Sequence, residues 1–381
     1  MYLSNSVVVN TSSGGVRGQT LNVVNHFINQ FLNIPYAEPP VGPLRFSPPQ
    51  PLQTPKKDVI DGTVEGNSCI QIQSPLFVQL MGKLTTSEDC LVLNIWTPNV
   101  DKSASKSQLK PVMYWIYGGA LTVGSVFQKF YNGSVLATND VVIVSVNYRI
   151  GQLGFLYGGD QTAPGNLGFY DQLLGLKWVR DNIHQFGGDK DQITDKPLSR
   201  PSTRCSRVDE SGDRFPEKFS RYQVSPRLYK VFLSGQKGTV EALSKAKETA
   251  RKLGCDPYDH KWLDCLRAIE NPDLFLEPTE AEVGFGVTWP VFGTEFLPVL
   301  PQKAFKTNKY NSDVDVMAGA TKDEGHVLAV KLQREIYHNI DVQKISDYYL
   351  QNRDPENPNE NVVRKLVEIP LYNYHTGWIP K

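Results

Sequence analysis

The hydrophobic positions of this chain alternate between continuous β-rich runs and segments with helical spacing. Residues 111–119 (PVMYWIYGG) and 140–149 (DVVIVSVNYR) are apolar runs of the kind that is buried on both faces of a sheet. Between residues 171 and 183, apolar side chains such as Leu174, Trp178 and Val179 form a helical stripe that would pack on this sheet. The alternation predicts an α/β fold, with a mostly parallel central sheet and crossover helices.

A second helix is predicted at residues 239–253. Thr239 is a capping residue at its start, Gly254 lies just beyond its end, and one face is apolar, with Val240, Leu243, Ala246, Ala250 and Leu253. Residues 313–325 (DVDVMAGATKDEG) follow later and indicate a strand that runs into a polar loop.

The pattern of strands and helices breaks after residue 194. DQIT at 191–194 begins another strand, but residues 195–223 contain few large apolar side chains and many charged ones. Such a segment cannot bury enough surface to offset the entropy lost on ordering it. We therefore predict a single domain over residues 1–381, in which 195–223 are a disordered or misread insert that leaves a gap in the sheet beside residues 140–149.

Composition narrows the class of protein. The 381 residues are 40% hydrophobic, which is enough for a large core, and 40 basic residues balance 40 acidic ones. A net charge of zero does not favour a nucleic-acid or anionic-membrane partner. No apolar run approaches the roughly 18 residues of a membrane span, and the first residues do not resemble a signal peptide. The protein is therefore either cytosolic or lacks its natural amino terminus.

Five cysteines and two glycosylation sequons bear on the cellular compartment. The cysteines are Cys69, Cys90, Cys205, Cys255 and Cys265, and their spacing fits either two local disulfides or buried thiols. The spacing does not match a zinc site. The Asn-x-Ser sequons at Asn10 and Asn132 favour an oxidising, secretory compartment.

The end of the first central strand is the first place where chemistry is plausible. Gly118, Gly119 and Ala120 are small residues that would let backbone N–H groups approach a ligand and stabilise an oxyanion. A simple turn is the alternative.

Six ordered segments resemble the type-B carboxylesterases and cholinesterases. They are FLNIPYAEPPVGPLRFSPPQP, SEDCLVLNIWTPN, VMYWIYGGA, YNGSVLATNDVVIVSVNYRIGQLGFL, GNLGFYDQLLGLKWVRDNIHQFGGD and GATKDEG, which together cover most of residues 7–194 and parts of 224–330. The resemblance implies an α/β-hydrolase fold, hydrolysis of carboxylic esters by a Ser, Glu and His triad, and usually secretion with intrachain disulfides.

The resemblance assigns roles to several residues. Glu324 in TKDEG matches the acid that orients the catalytic histidine. Gly119 and Ala120 match the second and third glycines of the oxyanion loop, and the alanine would be strained only at a positive φ. Pairing of Cys69 with Cys90 and of Cys255 with Cys265 is also implied by the family, and it favours a secreted or extracellular protein.

Two members of the triad are not identifiable. In the family, the equivalent of QIT leads directly into a Gly-x-Ser-x-Gly nucleophile elbow, whereas this chain continues with DKPLSRPS. Ser211 in VDESGD lacks both flanking glycines, so it is a poor nucleophile candidate. The family histidine lies downstream of the acid in a segment missing here, and His326, His338 and His375 read as surface residues.

Two function classes remain open at this stage. The chain is either a carboxylic-ester hydrolase that is inactive as given, because its sequence is misread or alternatively spliced near residue 195 and truncated, or a non-catalytic relative that binds partners as the cholinesterase-like adhesion proteins do. A dinucleotide site is excluded because no Gly-x-Gly-x-x-Gly follows a strand, and no cofactor is expected. Phe77 is the only large aromatic residue between Cys69 and Cys90, so general carboxylic esters are a better substrate hypothesis than choline esters.

Overall fold

The fold is built around one large sheet. The structure is a computed structural model and describes residues 6–73, 78, 82–98, 109–197, 237–276 and 289–309. These residues all belong to one of the two units into which the chain divides, and the other unit, Val224–Gln236, Pro278–Gly286 and Gly319–Lys381, lies outside the described residues.

Strands and helices follow one another along the described chain as the alternating pattern predicts. The strands are β1 Ser6–Thr11, β2 Gly14–Val23, β3 His26–Pro35, β4 Ile60–Asp61, β5 Ser68–Cys69, β6 Thr86–Ser87, β7 Val92–Thr97, β8 Lys110–Ile116, β9 Val142–Val146, β10 Gly188–Pro197, β11 Lys237–Gly238 and β12 Val291–Phe292. The α-helices are α1 Ser134–Ala137, α2 Gly151–Phe155, α3 Leu167–Asn182, α4 Thr239–Lys252, α5 Trp262–Arg267 and α6 Pro301–Lys306.

The main sheet has eight strands and is mixed rather than mostly parallel. Its order is β1-β2-β3-β7-β9-β8-β10, with β4 beside β2. Each pair of neighbours in the series β1, β2, β3, β7 and β9 is antiparallel. Strand β8 is parallel to both of its neighbours, β9 and β10. Short turns join β1 to β2 and β2 to β3, so these three strands run antiparallel.

Helices cover both faces of the sheet, as predicted. On β9 the side chains of Val142, Val144 and Val146 share a buried cluster with Trp178 and Val179 of α3. Ile143, which points to the other face because side chains alternate along a strand, clusters with Trp96 and with Ala137 of α1. The α/β-hydrolase fold expected from the sequence is confirmed.

The predicted gap beside residues 140–149 is not present. Strand β9 is paired on one side with β7 and on the other with β8, so both of its edges are satisfied. Strand β10 continues to Pro197, so residues 195–197 of the predicted insert are strand and pair with residues 114–116 of β8. Residues 198–223 lie outside the described residues.

The helix predicted at residues 239–253 is present as α4. Its N-cap is Gly238 rather than Thr239. Ala246 and Ala250 are buried against α5 as expected, but Val240 is exposed, because the inner face of the first turn is occupied by Ala242. The periodicity therefore located the helix but misplaced one residue of its buried face.

Both disulfides implied by the family resemblance are confirmed. Cys69 bonds to Cys90, and Cys255 bonds to Cys265. Arg45 connects the first disulfide loop to the residues just after the second, because its guanidinium donates to both carboxylate oxygens of Glu88 at 2.6 Å and to the carbonyl oxygens of Leu266, Arg267 and Ile269. Within the described ranges, no helix is both long and apolar enough to cross a membrane.

Candidate functional site

The loop that follows β8 has an unusual backbone. Gly119 has φ 150°, and Ala120 and Leu121 have φ 54° and 59°. Non-glycine residues rarely adopt positive φ, since the left-handed region costs an L-residue roughly 1–2 kcal/mol. Ala120 is therefore at the strained position that the sequence left undecided, and the loop holds two consecutive residues in this conformation.

A tight turn imposes this backbone. The carbonyl oxygen of Gly119 accepts hydrogen bonds from the N–H groups of Thr122 at 3.0 Å and Val123 at 3.1 Å. A Cβ at position 119 would overlap the carbonyl oxygen of Val123, so only glycine fits there. The turn thus folds the chain back immediately after the strand and brings backbone amides to the surface.

The amide N–H groups of Gly119 and Ala120 have no hydrogen-bond partner among the described residues. Both residues are partly exposed. Backbone N–H groups are normally paired or solvated, and two adjacent unpaired donors can stabilise negative charge on a ligand oxygen. Ala120 combines a positive φ with one of these two donors, and this combination favours a functional role for the loop.

Two buried tyrosines hold the start of the loop. The rings of Tyr117 and Tyr148 stack with their centroids 4.5 Å apart. Tyr117 donates its hydroxyl hydrogen to the carbonyl oxygen of Tyr148 at 3.1 Å, and Tyr148 donates to that of Tyr117 at 2.9 Å. Burial raises the pKa of Tyr117, which keeps its hydroxyl a hydrogen-bond donor. The reciprocal bonds join the carboxyl ends of β8 and β9.

Gln71 holds the other end of the loop. Its side-chain amide accepts from the N–H of Gly124 and donates to the carbonyl oxygen of the same residue, both at 2.8 Å. The carbonyl oxygen of Leu121 also accepts from the N–H of Gly151, at the start of α2. Because Gln71 follows Cys69 closely in the chain, the Cys69–Cys90 disulfide constrains the segment that positions the loop.

A buried ion pair fixes the chain just after β9. Arg149 donates from Nε and Nη2 to the two carboxylate oxygens of Asp171, at 2.9 and 2.7 Å, and its backbone N–H donates to the same carboxylate at 2.9 Å. Both side chains are almost fully buried. Asp171 belongs to α3, so this pair locks the strand end that carries Tyr148 to the helix behind it.

The carboxyl end of β10 lies at the same edge of the sheet as the loop. Pro197 is opposite Ile116, the last residue of β8 before the loop. In open α/β sheets, ligands bind outside the carboxyl ends of the parallel strands. The chain that leaves β10 therefore starts within a few residues of Gly119 and Ala120.

The structure describes only part of the predicted site. Gly119 and Ala120 lie together in the strained loop, whereas the predicted acid, Glu324, falls outside the described residues. So do the discounted candidates Ser211, His326, His338 and His375. Sequence reasoning missed Tyr148 and Gln71, and their spacing to the loop carries no signal in a single sequence. Among the described side chains no group of three potential metal ligands is present.

A comparison with protein families matches this chain over residues 5–194 and 227–376 to a model described as "Carboxylesterase family". The unmatched residues 195–226 overlap the segment 195–223, in which the sequence departs from the family pattern. The insert interpretation of that segment remains a prediction.

Several curated proteins are similar to the chain. They include an acetylcholinesterase of Leptinotarsa decemlineata, 31% identical over 89% of this chain and 60% of the relative. A cholinesterase of Mus musculus is 32% identical over 85% of this chain and 54% of the relative. An acetylcholinesterase of Gallus gallus is 38% identical over 77% and 38%, respectively. The chain thus spans about half the length of the curated relatives it matches.

Proposed function

Because the chain belongs to the carboxylesterase family, we propose that its loop at residues 118–124 binds the carbonyl oxygen of small carboxylic esters. Gly119 and Ala120 donate their backbone N–H groups to this oxygen, and Glu324 is the acid that orients a histidine in a complete triad. The observation that carries the proposal is the pair of unpartnered N–H groups in a strained loop, as judged among the described residues.

The loop is suited to this role because it is fixed before a ligand arrives. The tyrosine pair holds one end and Gln71 the other, so the two donors need no reorganisation when charge develops on the ligand oxygen.

We also propose that this chain does not hydrolyse esters through an acyl-serine intermediate. The sequence contains no Gly-x-Ser-x-Gly, and DKPLSRPS stands where that elbow belongs. Without a serine that is exposed by the elbow and activated by a base, binding of the ester carbonyl is not followed by nucleophilic attack.

We further propose that the protein acts in a secreted or extracellular environment. The two disulfides support this, because such bonds persist in oxidising compartments and are rare in the cytosol. The ligands would be small neutral carboxylic esters, as the chemistry of the loop requires only a carbonyl oxygen.

Binding at the loop is tested by titrating the protein with butyrate. Butyrate is the acid product of butyrate-ester hydrolysis, and its carboxylate oxygen stands in for the carbonyl oxygen of the ester. With glycine and alanine selectively labelled with ¹⁵N, the amide signals of Gly119 and Ala120 should shift. Gly82 is the matched control, because it also has a positive φ but lies in open space. Saturating butyrate that leaves Gly119 and Ala120 unshifted would contradict the proposed site.

Catalysis is tested separately. We expect aryl acetate hydrolysis no faster than the buffer background and no labelling by a fluorophosphonate. Stoichiometric labelling of any serine would show that a nucleophile is present after all.

A non-catalytic role in partner binding is the second candidate. It is favoured by the absence of the elbow from a chain that otherwise keeps the family pattern through residue 194. This candidate predicts that the carboxylate has no effect on the loop amides, so the titration separates the two.

A further inference from the structure

One stretch of surface, independent of the proposed ester site, combines exposed apolar side chains with a glycosylation sequon. Phe130, Val135 and Leu136 are 55%, 57% and 52% exposed, although each is large and hydrophobic. Asn132 lies among them in the chain and begins the sequon Asn132-Gly133-Ser134. Large exposed apolar side chains that lie within seven residues of one another are candidates for contact with another group, because their hydration is unfavourable.

The fold directs the asparagine outward and the rest of the sequon inward. Gly133 is packed so closely that a Cβ there would lie 2.7 Å from both Trp96 and Ile143. Ser134 is buried, whereas Asn132 is exposed. The sequon is therefore anchored on the sheet by its second residue, and its first residue projects into solvent.

The side-chain amide of Asn132 is oriented by a local hydrogen bond. Its Oδ1 accepts from the backbone N–H of Ser134 at 2.9 Å, which forms an Asx turn. This bond uses the oxygen and leaves Nδ2 without a partner among the described residues. A substituent on Nδ2 would keep the turn intact, because the oxygen remains the acceptor.

We propose that Asn132 carries an N-linked oligosaccharide whose first sugar covers the apolar surface of Phe130, Val135 and Leu136. The donor is an oligosaccharide linked through pyrophosphate to a lipid. The Asn132 nitrogen forms a bond to the anomeric carbon as the bond from that carbon to the pyrophosphate oxygen breaks. The lipid pyrophosphate leaves, and the amide loses one proton. Phe130, two residues before the asparagine and 55% exposed, supplies the ring that packs against the apolar C–H face of the sugar.

The second sequon, at Asn10, provides a matched comparison of the same Asn-x-Ser type. Its asparagine lies within β1, and its Oδ1 would be 3.7 Å from a Cβ placed on Gly15. Ser12 of this sequon is held by both side-chain groups of Asn182, at 2.8 and 2.9 Å. Asn10 and Asn132 are both exposed, but Asn10 lies within a strand whereas Asn132 lies in an Asx turn.

The modification is tested on the full chain, directed into the secretory pathway of insect cells by an added cleavable signal. Peptide N-glycosidase treatment in H₂¹⁸O converts a glycosylated asparagine to labelled aspartate. Trypsin then releases residues 130–149, which contain no other sequon. We expect ¹⁸O-aspartate at position 132, and an electrophoretic shift that is lost in Asn132→Gln and Ser134→Ala but kept in Asn10→Gln. Unmodified Asn132 in secreted, disulfide-bonded protein would overturn the proposal.

Whether the sugar covers Phe130, Val135 and Leu136 is measured by thermal stability and by retention on a hydrophobic column. Ser134→Ala removes the sequon but keeps Asn132 and the backbone N–H of the Asx turn. We expect its Tm to be lower than that of the glycosylated protein, and its retention on a hydrophobic column to be longer. In a Phe130→Ala background, the Tm difference should disappear, because the packing partner of the sugar is gone. An equal Tm loss in both backgrounds would refute the contact between the sugar and Phe130.

Discussion

Replacing Glu88 with glutamine would leave the buried charge of Arg45 without its counterion. Arg45 and Glu88 are 4% and 10% exposed, and two bonds of 2.6 Å join them. The glutamine would keep the size of the side chain and one acceptor oxygen but would remove the negative charge. The guanidinium would then be balanced only by the carbonyl oxygens of Leu266, Arg267 and Ile269 and by the ring of Phe275.

Breaking a buried ion pair from one side costs about 3–5 kcal/mol. The lower end of this range applies here, because the carbonyl oxygens continue to solvate the guanidinium. The unfolding entropy is about 2.1 cal/mol/K per residue, so for 381 residues 1 kcal/mol corresponds to roughly 1.2 °C. We therefore expect Glu88→Gln to lower the Tm by about 4 °C.

The assay is thermal unfolding of the disulfide-bonded protein, followed by tryptophan fluorescence. Glu248→Gln is the matched control, because it breaks the exposed Glu248–Lys252 pair and should change the Tm by less than about 1 °C. The double variant Arg45→Met with Glu88→Leu removes both charges but leaves the three carbonyl oxygens without their donor, so it should recover only part of the loss. A Tm for Glu88→Gln within about 1 °C of the unmodified protein would show that the pair is not buried as described.

Three further predictions follow from the backbone, the tyrosines and the cysteines. Ala120→Gly should raise the free energy of unfolding by up to about 1 kcal/mol, since it relieves a φ of 54°. The control Ala268→Gly, at φ −79° on the surface, should lower it. Chemical denaturation measures both, and a loss of stability in both variants would show that Ala120 is not strained. Burial raises the pKa of Tyr170 to about 12, above the unfolded value near 10. Stability should therefore be constant below about pH 10 and fall as the pH rises from 10 toward 12, so a Tm unchanged between about pH 9 and 11.5 would contradict this. Peptide mapping without reduction should show the two disulfides and an unpaired Cys205, and any disulfide to Cys205 would contradict this pairing.

The elements with the strongest periodicity were predictable from the sequence. Continuous apolar runs located β8 and β9 to within a few residues, because a strand buried on both faces needs them. The antiparallel part of the sheet was not predictable in this way. The pairing of β3 with β7 joins residues far apart in the chain, such as Asn29 and Thr97, and no local pattern encodes that choice.

The extension of β10 through residues 195–197 shows a limit of arguments from composition. Asp195, Lys196 and Pro197 have no apolar pattern, yet they continue the strand because β8 supplies backbone partners along its whole edge. Tertiary context overrides local preference at such a position.

The candidate site divides in the same manner. The family motif identified Gly119 and Ala120, but the sign of φ at Ala120 depends on the turn closed by the Gly119 carbonyl oxygen, which a sequence does not reveal. Gln71 could not be anticipated, since its two bonds to Gly124 join segments that are distant in the chain. Positions fixed by local chemistry were thus accessible from sequence, and those fixed by long-range contacts were not.

Because of the register between β10 and β8, the chain leaves β10 at the sheet edge that carries the loop at residues 118–124. Pro197 is level with Ile116, which precedes Gly119 and Ala120 by only a few residues. A different peptide joined after Pro197 would change the sequence that begins at this edge and leave the residues of the sheet unchanged. A library of peptides could be inserted at the same junction in the laboratory. The loop at residues 118–124 would be kept constant, and the inserted peptide would be varied.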